Sequence, residues 1–207
     1  MVAGQVGPDA AVIIPVYYDF ASTLCYVAHR VMGRLAPELE RLGVVLDWQP
    51  IDLTGITGWR RGATVQDARR ANALRVAADL NVPVRMPRYW QDSRAAHAVV
   101  LGLDSPAKRS AWRERVWTAV YEEGHPLGDA EDLIRLGRDL DVAVEPLVGR
   151  PQLSDLETRT RAAQAAGVAG VPTFMLGTFA MAGIQEPDTM TTTFARFVHR
   201  RRGVDEG

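Results

Sequence analysis

The 207-residue chain has one cysteine, Cys25, and a single lysine, Lys108, beside an abundance of arginine. One cysteine excludes an internal disulfide, a multi-cysteine zinc site and an ordinary two-thiol redox pair. The four histidines, His29, His97, His125 and His199, are scattered and show no HxxxH-type spacing, so no metal site is expected. No apolar run approaches the roughly 20 residues that cross a bilayer. Neither sign of charge dominates: 24 Lys plus Arg face 25 Asp plus Glu, for a net charge of -1. Such a balance argues against a general nucleic-acid or anionic-membrane binder. The opening residues carry no Lys or Arg before Arg30 and so lack the charged start of a signal peptide. A cytoplasmic protein is expected, with a small molecule as its partner and a homodimer left open as its assembly.

Apolar residues make up 47% of the chain, enough for a buried core. Residues 1–10 are small and polar and read as a loose tail. Val12 to Phe20 is a short run rich in Val, Ile and Tyr, the pattern of a buried strand. Pro15 within it cannot donate to a ladder, so it belongs at a strand start or edge. Leu24, Val27, Ala28, Val31, Met32 and Leu35 then recur at helical spacing, Pro37 interrupts, and Gly43 supplies a stop. Val44 to Leu53 carries a second strand, with Pro50 limiting its pairing. Strand, helix, strand is a βαβ unit, whose strands are parallel and whose crossover is right-handed.

The middle of the chain changes period. Helical patterning fills segments near 64–80, 91–103, 107–123 and 129–140, too much for one crossover, so residues 55–165 are expected to form an inserted helical subdomain. Residues 142–149 are ambiguous. Ser154 and Glu157 have the spacing of a capping box and place the start of a helix that runs to Ala166. Residues 11–54 and 166–203 then make up the α/β domain. In the latter, Thr173–Leu176, Gly177 and Phe179–Ala182 read as a hairpin, and Pro187 opens a last helix that ends in Arg200, Arg201 and Arg202. The order is βαβ, helical insertion, ββα.

Chemistry points to the first strand-to-helix junction, Asp19-Phe-Ala-Ser-Thr-Leu-Cys-Tyr. Open α/β sheets bind ligands at the carboxyl ends of their strands. A helix start adds free N–H groups and a partial positive charge that favour an anion such as a thiolate. Ser22 precedes the helix and Cys25 falls in its first turn. Ser22 also has the simpler reading of an N-cap. Cys25 has that of a small buried apolar residue, and His29, one turn on, that of a structural helix residue. Met86, Tyr89 and Trp90 are candidates for an apolar pocket wall or for core packing. Trp112 and Trp117 read as core or interface residues, and the terminal arginines as a solvated helix end.

This order of elements, with Phe20-Ala-Ser-Thr-Leu-Cys-Tyr and Gly170-Val-Pro-Thr-Phe, resembles the DsbA-type branch of the thioredoxin superfamily. Ser22 stands in the place of that family's nucleophilic cysteine and Cys25 in that of the resolving one. Within the branch it is similar to the 2-hydroxychromene-2-carboxylate isomerases and kappa-class glutathione transferases, which carry serine at the place of Ser22. Asp92-Ser-Arg-Ala-Ala is similar to their Asn-Ser/Thr-x-x-Ala, with Asp92 in place of asparagine. The resemblance implies a thioredoxin-like fold and a cis Val171–Pro172 bond whose backbone pairs with an extended ligand. It also implies glutathione or another low-molecular-weight thiol as cofactor of a transferase or isomerase. Ser22 and Cys25 are then the catalytic candidates. Val171, Pro172 and Gln185 are the cofactor-binding ones, Gln185 lying near where relatives place an acidic residue for the γ-glutamyl amine. Two alternatives stand beside this: a DsbA-like oxidoreductase with a degenerate motif, and a binding protein that keeps the groove without the chemistry.

Overall fold

The computed structural model describes residues 10–203; apart from Ala10, the segment expected to be a tail lies outside them. The chain opens with β1 (Val12–Tyr18), α1 (Thr23–Arg34), α2 (Ala36–Leu42) and β2 (Val44–Pro50). Helices α3 (Thr54–Thr57), α4 (Asp67–Asp79), α5 (Arg94–Gly102), α6 (Pro106–Thr118), α7 (Ala130–Arg138) and α8 (Arg150–Ala165) follow. The hairpin β3 (Thr173–Leu176) and β4 (Phe179–Ala182) and the helix α9 (Pro187–Arg202) complete it. Helix α6 runs on into a π-helical turn, Ala119–Glu123, and the ambiguous stretch after α7 is loop around a 3-10 turn, Glu145–Leu147.

The strands form one sheet in the order β2-β1-β3-β4. β1 pairs parallel with β2 over its whole length, and antiparallel with β3 only at Val16 and Tyr17. Pro15 therefore lies on the half of β1 that β3 does not reach, where a missing N–H on that side costs no ladder bond. The turns follow from local chemistry. Gly43 ends α2 with φ 66°, and Gly177 turns the hairpin with φ 69°, conformations costly for residues with a Cβ.

One boundary differs from its sequence signal. Helix α8 starts at Arg150 with Gly149 as its cap and Pro151 in its first turn, so Ser154 and Glu157 lie inside the helix and form no capping box. The fixed φ of proline suits a first turn, and this outweighs a serine one turn later.

Alternation along β1 sends Val12, Ile14, Val16 and Tyr18 into the main core, with Val31 of α1 and Phe194 and Val198 of α9. A smaller cluster on the other face joins Ile51, Met175, Val168 and Ala163 of α8. Trp112 and Trp117 of α6 are fully buried. Trp117 packs against the rings of Tyr18, Phe20, His29 and Trp48, which ties the inserted helices to the carboxyl end of β1.

Candidate active site

The carboxyl end of β1 turns into α1 through Asp19-Phe20-Ala21-Ser22, and a buried carboxylate organises that turn. Asp19 is 1% exposed. Its Oδ1 accepts from the Ala21 N–H at 2.9 Å and the Ser93 hydroxyl at 2.6 Å, and lies 3.3 Å from His97 Nε2. Its Oδ2 accepts from the Leu53 N–H at 2.7 Å. Burial raises the carboxyl pKa, but the bonds from His97, Ser93 and Ala21 outweigh it and hold the pKa below the ordinary carboxylate value. Asp19 thus clamps the turn to the segment after β2 and to α5. Ser93 lies within the Asp92-Ser-Arg-Ala-Ala segment, and His97 follows it directly. Nothing in the sequence paired that region with Asp19.

Ser22 takes the extended conformation of an N-cap, φ -92° and ψ 113°, yet its side chain makes no capping bond. Its hydroxyl lies against the Cys25 sulfur, and the residue also lines an adjoining cavity of about 290 Å³. The first free amides of α1, those of Thr23 and Leu24, belong to residues that line the same cavity. Across it run Ala169, Gly170 and Val171, immediately before Pro172, and the Val171–Pro172 peptide is cis. The first and last parts of the chain therefore meet at one groove.

The structure separates the remaining candidates. Cys25 does not line the cavity. It is 0% exposed in the core, and burial pushes its thiol up to about 12, against the pull of the Ser22 hydroxyl and the Asp19 backbone. Of the two readings of Cys25, its place in the core favours the small buried apolar residue over the catalytic thiol, because α1 turns this position inward. Pro172 is buried behind the wall that Val171 presents. Gln185 is exposed ahead of α9 and lines no part of the cavity, so a ligand-binding role is not supported by its position. His29 pairs with Glu114 at 2.6 Å.

Met86 and Trp90 do wall the cavity, while Tyr89 is exposed and bridges Thr64. Sequence reasoning missed the rest of the wall. Trp59 stacks on Trp90 with ring centroids 3.5 Å apart, and the Arg69 guanidinium lies 4.8 Å from the Trp59 centroid. The Trp59 Nε1 is buried and has no acceptor among the described residues. Arg69, Asn72 and Ala73 share one face of α4, and that i, i+3, i+4 spacing was the signal available in the sequence. Among the described residues no cluster of His, Cys, Asp or Glu can hold a metal ion, and no helix is long and apolar enough to cross a membrane.

A family model, the DSBA-like thioredoxin domain, matches residues 13–195. The chain belongs to this family. No curated protein sequence matches it. Among solved structures, a 2-hydroxychromene-2-carboxylate isomerase superposes with TM-score 0.75 at 21% identity, covering 94% of this chain and 100% of that one. A probable DsbA oxidoreductase from Streptomyces coelicolor gives 0.70 at 18% identity, with 94% and 92% covered. The cytosolic disulfide reductase DsbM from Pseudomonas aeruginosa, solved with glutathione, gives 0.64 at 20%, with 92% and 98% covered. These structures share the thioredoxin-like fold of this chain.

Proposed function

We propose that this DsbA-family protein binds a low-molecular-weight thiol such as glutathione, and uses its thiolate in a transferase or isomerase reaction. The observation that carries the reading is the uncapped Ser22 hydroxyl at the start of α1, opposite Val171 in a cavity that excludes the only cysteine. Cys25, kept protonated by burial, stays in the core and does not compete with a bound thiol for the cavity. Neither Val171 backbone group is paired with another described residue, which suits an extended, peptide-like thiol. Arg69 and Asn72 offer a charge and an amide for its carboxylate, and the Trp59–Trp90 stack offers an apolar wall for a second substrate. That the isomerase and the glutathione-bound reductase share this fold supports the choice of thiol.

The magnitudes are adequate. A hydrogen bond to a charged group contributes about 1.5–3 kcal/mol and a helix N-terminus about 0.3–1 kcal/mol. Together they lower a bound thiol's pKa by about 1.3–2.9 pH units at about 1.36 kcal/mol each, which takes a thiol of pKa about 8.5 from about 3% ionised at neutral pH to between about 40% and nearly all. The test is the ultraviolet absorbance of bound glutathione thiolate against pH, in wild type and Ser22→Ala. Loss of the serine is expected to raise the bound thiol's pKa by at least one pH unit. Superimposable titrations would reduce Ser22 to a helix-start residue, and absence of glutathione binding would remove the cofactor. A two-thiol exchange reaction has no support, since the single thiol is buried.

A further inference from the structure

At the far edge of the sheet from β4, strand β2 has a neighbour on one side only among the described residues. At the two ends of its ladder, the Val12 N–H donates to the Gly43 carbonyl at 2.8 Å and the Ile51 N–H to the Tyr18 carbonyl at 3.0 Å. In a parallel ladder the residues whose backbone faces the partner alternate. Residues 43, 45, 47, 49 and 51 therefore face β1, and Leu46 and Trp48 direct their N–H and C=O outward. No described residue outside the ladder bonds to these groups. A groove of about 390 Å³, separate from the candidate active site, runs along this edge between β2, the start of α6 and α8.

Two further properties describe what would lie there. Ile13 and Val45, paired across β1 and β2, are 61% and 50% exposed and form an apolar step beside the edge. Arg109, Arg113 and Arg159 line the groove against one carboxylate, Asp47. Arg109 spends its Nε on the Leu103 carbonyl at 3.0 Å and forms no ion pair with a described residue. Arg113 lies over the Trp48 ring at 5.8 Å, its Nε buried without an acceptor. Burial, the leading cause, draws its pKa below the ordinary arginine value, against the opposing pull of Tyr18 and Asp47 and with the added repulsion of Arg109. Arg159 is held by Asp155 at 2.9 Å and Gln49 at 3.0 Å.

We propose that the open edge of β2 is a docking site for an extended acidic peptide segment, which adds as a strand beside Leu46 and Trp48 and sets its carboxylates against Arg109 and Arg113. Unpaired edge groups supply the backbone bonds, and the positive groove selects the sequence. The excess of arginine along the groove argues against a second copy of this chain, which would bring the same arginines to a self-paired edge. The site stands apart from the thiol-binding reading.

The test uses fluorescein-labelled peptides and anisotropy on the full chain at low ionic strength. An alternating Glu/Val heptapeptide is expected to bind, with affinity falling as salt rises. The Lys/Val peptide is expected to bind at least tenfold more weakly, as is a Glu/Val peptide N-methylated at alternate residues; these two comparisons leave the protein unaltered. Arg109→Glu, at an exposed position, is expected to weaken Glu/Val binding at least tenfold, with the circular dichroism unchanged. Saturating glutathione and Ser22→Ala are expected to leave it unaltered. The proposal is overturned if Glu/Val does not bind, or if N-methylation has no effect, which would mean a general anion attraction. A dimer that Val45→Arg dissociates would equally overturn it, by placing a second copy on this edge.

Discussion

Replacing Asp19 by Asn keeps the size of the side chain and removes its charge from a buried site. In the native protein Oδ1 accepts from Ala21, Ser93 and the His97 side, while Oδ2 accepts from Leu53. An amide has one carbonyl, so its NH₂ must face either the Leu53 N–H or the other donors. An unsatisfied buried N–H costs about 1–3 kcal/mol, and each surviving bond weakens from the charged class, about 1.5–3 kcal/mol, toward the neutral one, about 0.5–1.5. Relief from burying a charge offsets part of this. A net loss of about 2–4 kcal/mol is expected, measured by urea unfolding at neutral pH. The pH dependence is a second readout. The folded-state pKa of Asp19 lies below its unfolded value, so its stabilisation is fully present above the unfolded pKa of about 3.9 and is lost as pH falls through the folded value. The gap between wild type and Asp19→Asn should therefore narrow on acidification below about pH 4. A variant within about 0.5 kcal/mol of wild type at pH 7, below the effects assigned to these bonds, would refute the reasoning. So would a gap that acid leaves unchanged.

Other expectations follow from single contacts. Cys25, with its thiol at about 12, should react with iodoacetamide at neutral pH at least 100-fold more slowly in the native protein than in urea, since only about one part in 10⁵ is thiolate; equal rates would place the thiol at the surface. Ser105 caps α6 by accepting from the Lys108 N–H at 3.2 Å, so Ser105→Ala should cost about 0.5–2 kcal/mol in denaturant unfolding. Ser22→Ala, which removes no capping bond, should cost less than Ser105→Ala, and the reverse order would show that Ser22 serves the fold. Trp117→Ala empties the centre of the aromatic cluster and should lower stability by about 3–5 kcal/mol, with loss of near-ultraviolet circular dichroism.

Most of the architecture was legible because it depends on short-range rules. Alternation in Val12–Tyr18, the 3.6-residue spacing in Thr23–Arg34, Gly43 and Gly177 at positive φ, and Pro187 at a helix start are each decided within a few residues. The start of α8 was misread because two local signals competed, and Pro151 prevailed over Ser154. Ser22 and Val171 were identified through the resemblance of their two short motifs, and both line the cavity.

The partners of Asp19 and the Trp59–Trp90 wall were not legible, since each depends on groups distant in sequence, whereas the burial of Cys25 was one of two readings the sequence left open. Ser93 and His97 reach Asp19 across 74 and 78 positions. No periodicity within α5 or β1 encodes that meeting, which exists only because α5 packs behind the carboxyl end of β1. The sequence by itself determined the order of strands and helices and the place of an anion-favouring helix start, since backbone propensity and alternation act locally. Tertiary structure alone decided which side chains face the cavity, which of the two readings of the lone thiol holds, and that no described residue pairs with the outer edge of β2, since those outcomes depend on packing between elements far apart in the chain.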